Sequence, residues 1–419
     1  MKHRLALGID VGTSGVRVAA LDDDLTVVTV TKAAMDLSKG PRNDPAIWLG
    51  ALTDALSAML QAIDASSIEA VCVDGTSGTV LALDAAAAPI GHALMYNDAV
   101  EDRAIPEAIA AVAPRQSAAH GASSALARSI SLQTRPGIVR IAHQADWIAE
   151  RLAGKPVPSD ESNALKTGYD PVARGWPGWM SEAGINTGLL PDIVATGTMT
   201  GVTSGAFGLP EGIPIVAGVS DGCASFLATG ASTPGDGVTA LGTTLTLKLL
   251  SDKPIFAPEY GIYSHRIGDQ WLAGGASNSG GEALAAYFAP DEIAALSERI
   301  NPETSTGLNY YPLPRTGERF PVNDPGLVSR VDPRPETRQD FLQGLLEGIA
   351  AIEKRGFERL AELGGPELTS IRTVGGGASN RTWTRMRTRM LNTSEAPVAS
   401  GEAAAGSARI AWGFVKGRA

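Results

Sequence analysis

Leu7-Gly8-Ile9-Asp10-Val11-Gly12-Thr13-Ser14-Gly15-Val16-Arg17-Val18-Ala19-Ala20-Leu21 decides the fold. Its first half reads as a buried strand ending on a carboxylate, its middle as a Gly-Thr-Ser-Gly turn, and its second half as a returning, alternating strand. The product is a hairpin with a polar tip. Gly12 and Gly15 permit close backbone approach, and the Thr13 and Ser14 hydroxyls with successive N–H groups can face an anion. Asp10 beside them repels a phosphate unless a divalent cation lies between, which makes the tip a metal-held or water-held phosphate site. Ordinary sheet turns use the same residues, so this hairpin alone leaves both readings open.

A second stretch repeats the design. Val238-Thr239-Ala240-Leu241-Gly242-Thr243-Thr244-Leu245-Thr246-Leu247-Lys248-Leu249-Leu250 is again an apolar strand, a Gly-Thr-Thr tip and an alternating strand. Two such tips so far apart in the chain imply two halves of similar build that hold one polyphosphate. That is the sequence outline of the actin-like ATPase architecture.

A chain of 419 residues exceeds the size at which a single core stops growing, so two domains are expected. Hydrophobic residues make up 44% and charged residues 19%, with 48 Gly, a globular α/β composition. The net charge of −10 disfavours nucleic acid or an anionic membrane as a partner. A bound nucleotide then needs local neutralisation, by Mg²⁺ and oriented backbone amides. Cys72 and Cys223 lack metal-ligand spacing and read as small core residues of a cytoplasmic protein. No apolar run reaches membrane-spanning length.

Taken in order, Leu25–Lys32 continues the opening hairpin as a third strand, Ala46–Ile63 is an amphipathic helix, and Ile68–Val73 is a buried strand leading into Asp74-Gly75-Thr76-Ser77-Gly78. Three strands, a helix and a strand make a ribonuclease-H-like start. Trp176 and Trp179 sit in a Gly/Pro loop, as a packing plug or a pocket wall. Ile213–Gly218 is a strand that runs into a helix beginning near Asp221, where a carboxylate is a structural cap or a general base. Gln270–Ala273 is a strand and Gly274–Glu282 a glycine-rich connection. Arg338–Leu363 is the longest helix, with Gly344, Gly348 and Gly356 at helical spacing for the close approach of another helix or a ligand. Near the end, Ile371–Val374 leads into Gly375-Gly376-Gly377-Ala378, and Asn380 can cap the next helix. Asn380 stands where a dinucleotide fingerprint has its third Gly, and no ribose-binding acid follows, so a Rossmann site is excluded. The bare glycines instead admit adenine or ribose against backbone, with Asn380 and Trp383 placed to hydrogen-bond and stack. Gly401–Phe414 closes as an Ala-rich helix. There is no P-loop and no His-Arg-Asp catalytic loop.

Gly8–Ser14, Gly218–Asp221, Pro234-Gly235-Asp236 before Leu241-Gly242-Thr243-Thr244, and Gly375–Ala378 with Asn380 and Trp383 together resemble the FGGY carbohydrate kinase family over nearly the whole chain. The resemblance implies an α/β fold of two ribonuclease-H-like, actin-like domains flanking a central cleft. These would be residues 1–228 on the sugar side and 229–401 on the nucleotide side, with the helix 402–419 packing back on the first. It implies MgATP as phosphoryl donor and Asp221 as the base that takes a sugar hydroxyl's proton. Asp10 would hold the metal and, with Thr13, the phosphates. Gly242, Thr243 and Thr244 would contact phosphates from the other lobe, and Gly376, Gly377, Asn380 and Trp383 would hold the nucleoside.

The chain departs from bacterial xylulokinases, which carry a Met-His pair where Asp74–Gly78 stands and are longer. It resembles the compact plant and cyanobacterial branch of D-ribulose kinase-like proteins, often labelled xylulose kinases. There Ser14, Gly15, Arg17 and Ser77 lie by the sugar; Arg17 reads equally as a solvated strand residue. The expectation is an ATP-dependent ketopentose kinase, D-ribulose first and D-xylulose or another polyol second, acting as monomer or homodimer. The alternative of another class is an actin-like ATPase switch or an inactive regulatory homologue.

Overall fold

The computed structural model describes residues 4–417; residues 418 and 419 of the expected last helix lie outside them. Two compact units are present. The first comprises residues up to Gly230, the short segment His265–Gly268, and the chain from Ala399; the second comprises Ala231–Ser264 and Asp269–Val398.

The first unit is built on a six-stranded sheet of Leu5–Val11 (β1), Gly15–Leu21 (β2), Val27–Ala34 (β3), Ile68–Gly75 (β4), Met199–Val202 (β5) and Pro214–Val216 (β6). The order is β3-β2-β1-β4-β6-β5. β1 runs antiparallel to β2 and parallel to β4, which sets Asp10 opposite Arg17 on one side and opposite Asp74 on the other. Side chains alternate along a strand, and here both faces are covered. Leu7, Ile9, Val11, Val16 and Val18 face the helix Pro45–Ala62 through its Trp48, Leu52, Leu56 and Met59. Ala6, Ala19, Ala70 and Cys72 face the helix Ala403–Gly417 through Ala404, Ala408, Ala411 and Trp412. The second face is made of small residues because that helix comes very close: a Cβ on Gly8 would lie 1.8 Å from the Ala404 carbonyl oxygen. The same helix meets Asp221–Ala228 at Gly406, where a Cβ would lie 1.9 Å from the Ala224 carbonyl oxygen.

A smaller layer joins the antiparallel pair Val80–Leu83 and Arg140–His143 to the helices Ala104–Val112 and Ala125–Leu132. Trp176 plugs the loop beneath it, stacked edge-on against Tyr169 at 5.5 Å with its indole N–H donating to Pro191 O at 3.1 Å.

The second unit's own strands are Asp236–Leu241 (β7), Leu245–Ser251 (β8), Gln270–Ser277 (β9), Ser370–Val374 (β10) and Ser394–Glu395 (β11). They run β9-β8-β7-β10-β11, with β7 antiparallel to β8 and parallel to β10. This repeats the β3-β2-β1-β4 design of the first unit. Arg338–Glu362 packs across the sheet, capped by Thr337, whose side chain accepts from Asp340 N–H. Two expectations need correction. Gly274 and Gly275 belong to β9, not to a connection: a Cβ on Gly275 would overlap the Phe320 ring at 2.6 Å, and one on Gly274 would meet Leu247 O at 2.4 Å. Gly344, Gly348 and Gly356 admit neither helix nor ligand; Leu308, Tyr310, Pro312 and Phe320 fill the space beside them.

Candidate active site

In the first unit the strand ends bring three carboxylates together. Asp10 closes β1, Asp74 lies level with it on β4, and Asp221 opens the helix Asp221–Ala228 just after Ser220, which bridges to Gly75. Asp74 is fully buried; its Oδ2 accepts from Ser407 Oγ at 2.5 Å, and Oδ1 has no partner. Burial, and then the Asp10 charge, hold the Asp74 carboxyl well above the usual range, so it keeps its proton. Burial also raises Asp10, opposed chiefly by the Arg17 guanidinium at 3.4 Å. Arg17 is tied on its other side to Glu402 at 3.4 Å, and Lys32 joins the same carboxylate at 2.6 Å. Asp221 Oδ1 accepts from its neighbour Gly222 N–H at 2.7 Å and from Ser77 N–H at 3.4 Å, which leaves Oδ2 without a protein partner among the described residues. Ser77 Oγ is buried and likewise unpartnered.

At the hairpin tip Gly12 N–H donates to Gly15 O at 3.0 Å, leaving Ser14 exposed and Thr13 half-buried. Gly15 has a packing reason of its own: a Cβ there would lie 2.3 Å from Ala33 O. The buried Gly15 therefore offers only backbone to a ligand.

The second unit holds a cavity of about 930 Å³. Gly242 and Thr243 form one wall, Gly376, Gly377 and Asn380 another with Ser297 behind it, and Leu284, Phe288 and Ile293 an apolar floor. Local folding requires this shape. Gly281 N–H and Glu282 N–H donate to Gly242 O and Thr243 O at 2.9 and 3.0 Å, fixing the Gly-Thr-Thr tip, and Gly375 takes a positive φ of 86° hard against Leu241. Thr244 is half-buried behind the tip and does not line the cavity. Asn380 spends its side chain on structure: Oδ1 caps Trp383 N–H at 3.0 Å and Nδ2 donates to Ser297 Oγ at 2.8 Å. Trp383 corrects its expectation. Its indole N–H donates to Leu346 O at 3.1 Å within the core and the residue is 3% exposed, so it can wall a nucleoside but cannot hydrogen-bond one.

Behind both elements lies a buried network. Arg387 Nε and Nη2 donate to Glu353 Oε2 and Oε1, each at 2.5 Å, while its Nη1 donates to Thr373 Oγ1 at 2.9 Å; Thr239 Oγ1 donates to Glu353 Oε1 at 2.6 Å. It clamps the strand before the Gly-Thr-Thr tip to the strand before the triple glycine. Sequence reading missed Asp74, Ser407, the cavity floor and this network. Only Asp74 left a signal, as a second strand ending in Val-Asp before a glycine.

Two sheets of like build, each with a glycine tip, make the actin-like ATPase fold, and the family match narrows it to a sugar kinase. The N-terminal domain of the FGGY family of carbohydrate kinases matches residues 5–109 and the C-terminal domain residues 237–412. The chain belongs to that family and is a sugar kinase. A protein named xylulose kinase from Streptomyces coelicolor is 26% identical over 99% of this chain and 88% of its own. A structure described as a xyloylose kinase from Brucella ovis superposes with a TM-score of 0.85 at 23% identity, covering 99% of this chain and 91% of that one. Glycerol kinase from Plasmodium falciparum, solved with ADP, gives 0.83 at 17% identity over 99% and 90% of the two chains. No helix among the described residues is long and apolar enough to cross a membrane.

Proposed function

We propose that this chain transfers the γ-phosphoryl group of ATP to a hydroxyl of a ketopentose, D-ribulose first and D-xylulose second. One observation carries the reading: Asp221, whose Oδ2 has no partner among the described residues, is held through Oδ1 by the N–H of Ser77, whose own hydroxyl is buried and unpartnered. The sugar oxygen attacks the γ-phosphorus, Asp221 accepts that hydroxyl's proton, and ADP leaves with the bonding pair of the broken P–O bond. Ser77 orients the acceptor, and Gly242 and Thr243 present backbone and hydroxyl donors to phosphate oxygens. The adenosine lies against Gly376 and Gly377, walled by Trp383 and the apolar floor, in a space of nucleotide size.

Mg²⁺ fits the donor set. Among the described residues no group of three His, Cys, Asp or Glu forms a metal cage. A hard carboxylate at Asp10, with the Thr13 hydroxyl nearby, suits an ion that takes one or two carboxylates and completes its shell with phosphates and water. Asp10 would hold it, and its contribution is to neutralise charge on the transferring phosphoryl group. The relatives named xylulose kinase support a ketopentose acceptor; the Asp74–Gly78 turn, in place of the Met-His pair expected of a xylulokinase, is the reason D-ribulose is put before D-xylulose.

The test is coupled ADP release with MgATP across D-ribulose, L-ribulose, D-xylulose, L-xylulose and glycerol, run beside Asp221→Asn. One ketopentose should dominate, and Asp221→Asn should lower kcat by roughly 10²- to 10⁴-fold while ADP binding is retained. ADP release that no sugar raises above the basal rate refutes the reading in favour of an ATPase switch.

A further inference from the structure

Four charged residues stand in one row across the first unit's sheet. The register places Lys32 on β3 opposite Arg17 on β2, Arg17 opposite Asp10 on β1, and Asp10 opposite Asp74 on β4. Residues opposite one another in a ladder share a face, so two cations and two carboxyls lie side by side. Glu402, the residue before the helix Ala403–Gly417, meets the cationic half of the row. Lys32 Nζ lies 2.6 Å from its Oε1 and Arg17 Nε 3.4 Å from its Oε2.

Arg17 is held by two carboxylates and tightly by neither. Its Nη1 is 3.4 Å from Asp10 Oδ2 and its Nε 3.4 Å from Glu402 Oε2, against about 2.7–2.9 Å for a close guanidinium–carboxylate contact. The Arg17 side chain is 32% exposed and that of Asp10 8%, so the carboxylate is fixed in the sheet while the guanidinium has room to turn. Burial disfavours the Asp10 carboxylate, and Arg17 is the main charge opposing that cost. Nη1 also stands at the hairpin tip: a Cβ on Gly12 would fall 3.2 Å from it and 3.9 Å from Asp10 Oδ1. Here Asp10, with the Thr13 hydroxyl nearby, would hold a divalent ion. A cation of the chain thus occupies the neighbourhood of a cation from outside it, and the two repel.

We propose that Arg17 is the resident counter-ion of Asp10 and turns to Glu402 when a divalent metal takes the Asp10 carboxylate, so that Arg17 and Glu402 together set the metal affinity. The proposal rests on the reading of Asp10 as the metal ligand. The exchange keeps charge balanced, because Asp10 passes from one cation to another while Glu402, already 3.4 Å from Arg17, receives the one displaced. Two substitutions then act in opposite directions. Removing the Arg17 charge leaves the carboxylate to the metal without a competitor. Removing the Glu402 charge leaves Asp10 as the one carboxylate on Arg17 among the described residues, and the competition stiffens.

The test is titration of the whole chain with Mn²⁺ alone at pH 8 and low salt, followed by the electron paramagnetic resonance signal of the unbound ion. Wild type, Arg17→Gln, Glu402→Gln, the double variant and Asp10→Asn are compared, and the relevant site is the one that Asp10→Asn abolishes. Arg17→Gln should tighten it roughly 3- to 30-fold, and Glu402→Gln should weaken it roughly 3- to 10-fold. In the Arg17→Gln background, Glu402→Gln should change the affinity by less than about 2-fold, since the cation it receives is gone. An Asp10-dependent site that Arg17→Gln leaves unchanged or weakens overturns the counter-ion role and leaves the metal reading of Asp10 standing, as does a Glu402→Gln effect of equal size with and without Arg17. If Arg17→Gln fails to fold by circular dichroism, Glu402→Gln decides by itself, and unchanged or tighter binding overturns the proposal. An Asp10→Asn titration identical to that of the wild type overturns the metal reading of Asp10 and the proposal with it.

Discussion

Replacing Arg387 by Met tests the clamp behind the nucleotide cavity. Glu353 and Arg387 are 0% and 1% exposed, and Arg387 supplies two of the three hydrogen bonds on the Glu353 carboxylate. Arg387→Met therefore strands a buried negative charge with only the Thr239 hydroxyl for company. Such one-sided losses cost about 3–5 kcal/mol. Glu353→Leu with Arg387→Met removes the stranded charge, leaving the Thr239 and Thr373 hydroxyls unpaired at about 1 kcal/mol each. The double variant should then lie about 2 kcal/mol below wild type and above the Arg387→Met single variant. Urea unfolding, followed by intrinsic fluorescence and by limited proteolysis of the second unit, gives the cycle. An Arg387→Met variant within about 1 kcal/mol of wild type, or a coupling energy near zero, would show that the network does not hold these strands. Retained stability with a raised KM for ATP would place its effect on the cavity alone.

Asp160 gives a pH signature: burial, then the charge of Asp146, push its carboxyl to about 7, against roughly 4 for a free aspartate. Between those values the folded chain holds a proton that the unfolded chain has lost. The contribution to stability is complete below about pH 4 and is lost as pH rises through about 7, with a span on the order of 4 kcal/mol. Asp160→Asn should flatten this part of the curve, and equal pH dependence of variant and wild type in urea midpoints at pH 5 and pH 8 would contradict it. Gly406→Ala should cost at least about 2 kcal/mol, because the new Cβ lands on backbone at Ala224. On the same helix Gly413→Ala, with open space around it, should gain roughly 0.5–1 kcal/mol. Thermal melts that rank the two the other way would refute that packing.

The hairpins and the chain order of the opening elements were legible because they depend on local alternation and on glycine at turns, as Gly12–Gly15 and Gly242–Thr244 illustrate. The length of β9 was not, since Gly274 and Gly275 look like a connection until Phe320, far along the chain, is found in the space their side chains would occupy. Trp383 could be read as a cavity residue but not as one whose N–H is already used by Leu346. Asp74 and Ser407 are separated by most of the chain, and a partner at that distance has no periodicity to betray it.

The helix Ala403–Gly417 comes after the whole second unit in sequence, yet it covers one face of the first unit's sheet and supplies the hydrogen bond to Asp74. During synthesis the strands at the beginning of the chain must therefore wait, with Ala6, Ala19, Leu21, Ala70 and Cys72 uncovered, until residues 403–417 have been made. The second unit has no such dependence. On the ribosome the order of completion is thus the reverse of the order of translation, and a nascent chain stalled before residue 403 would display the uncovered face to chaperones while its second unit was already folded.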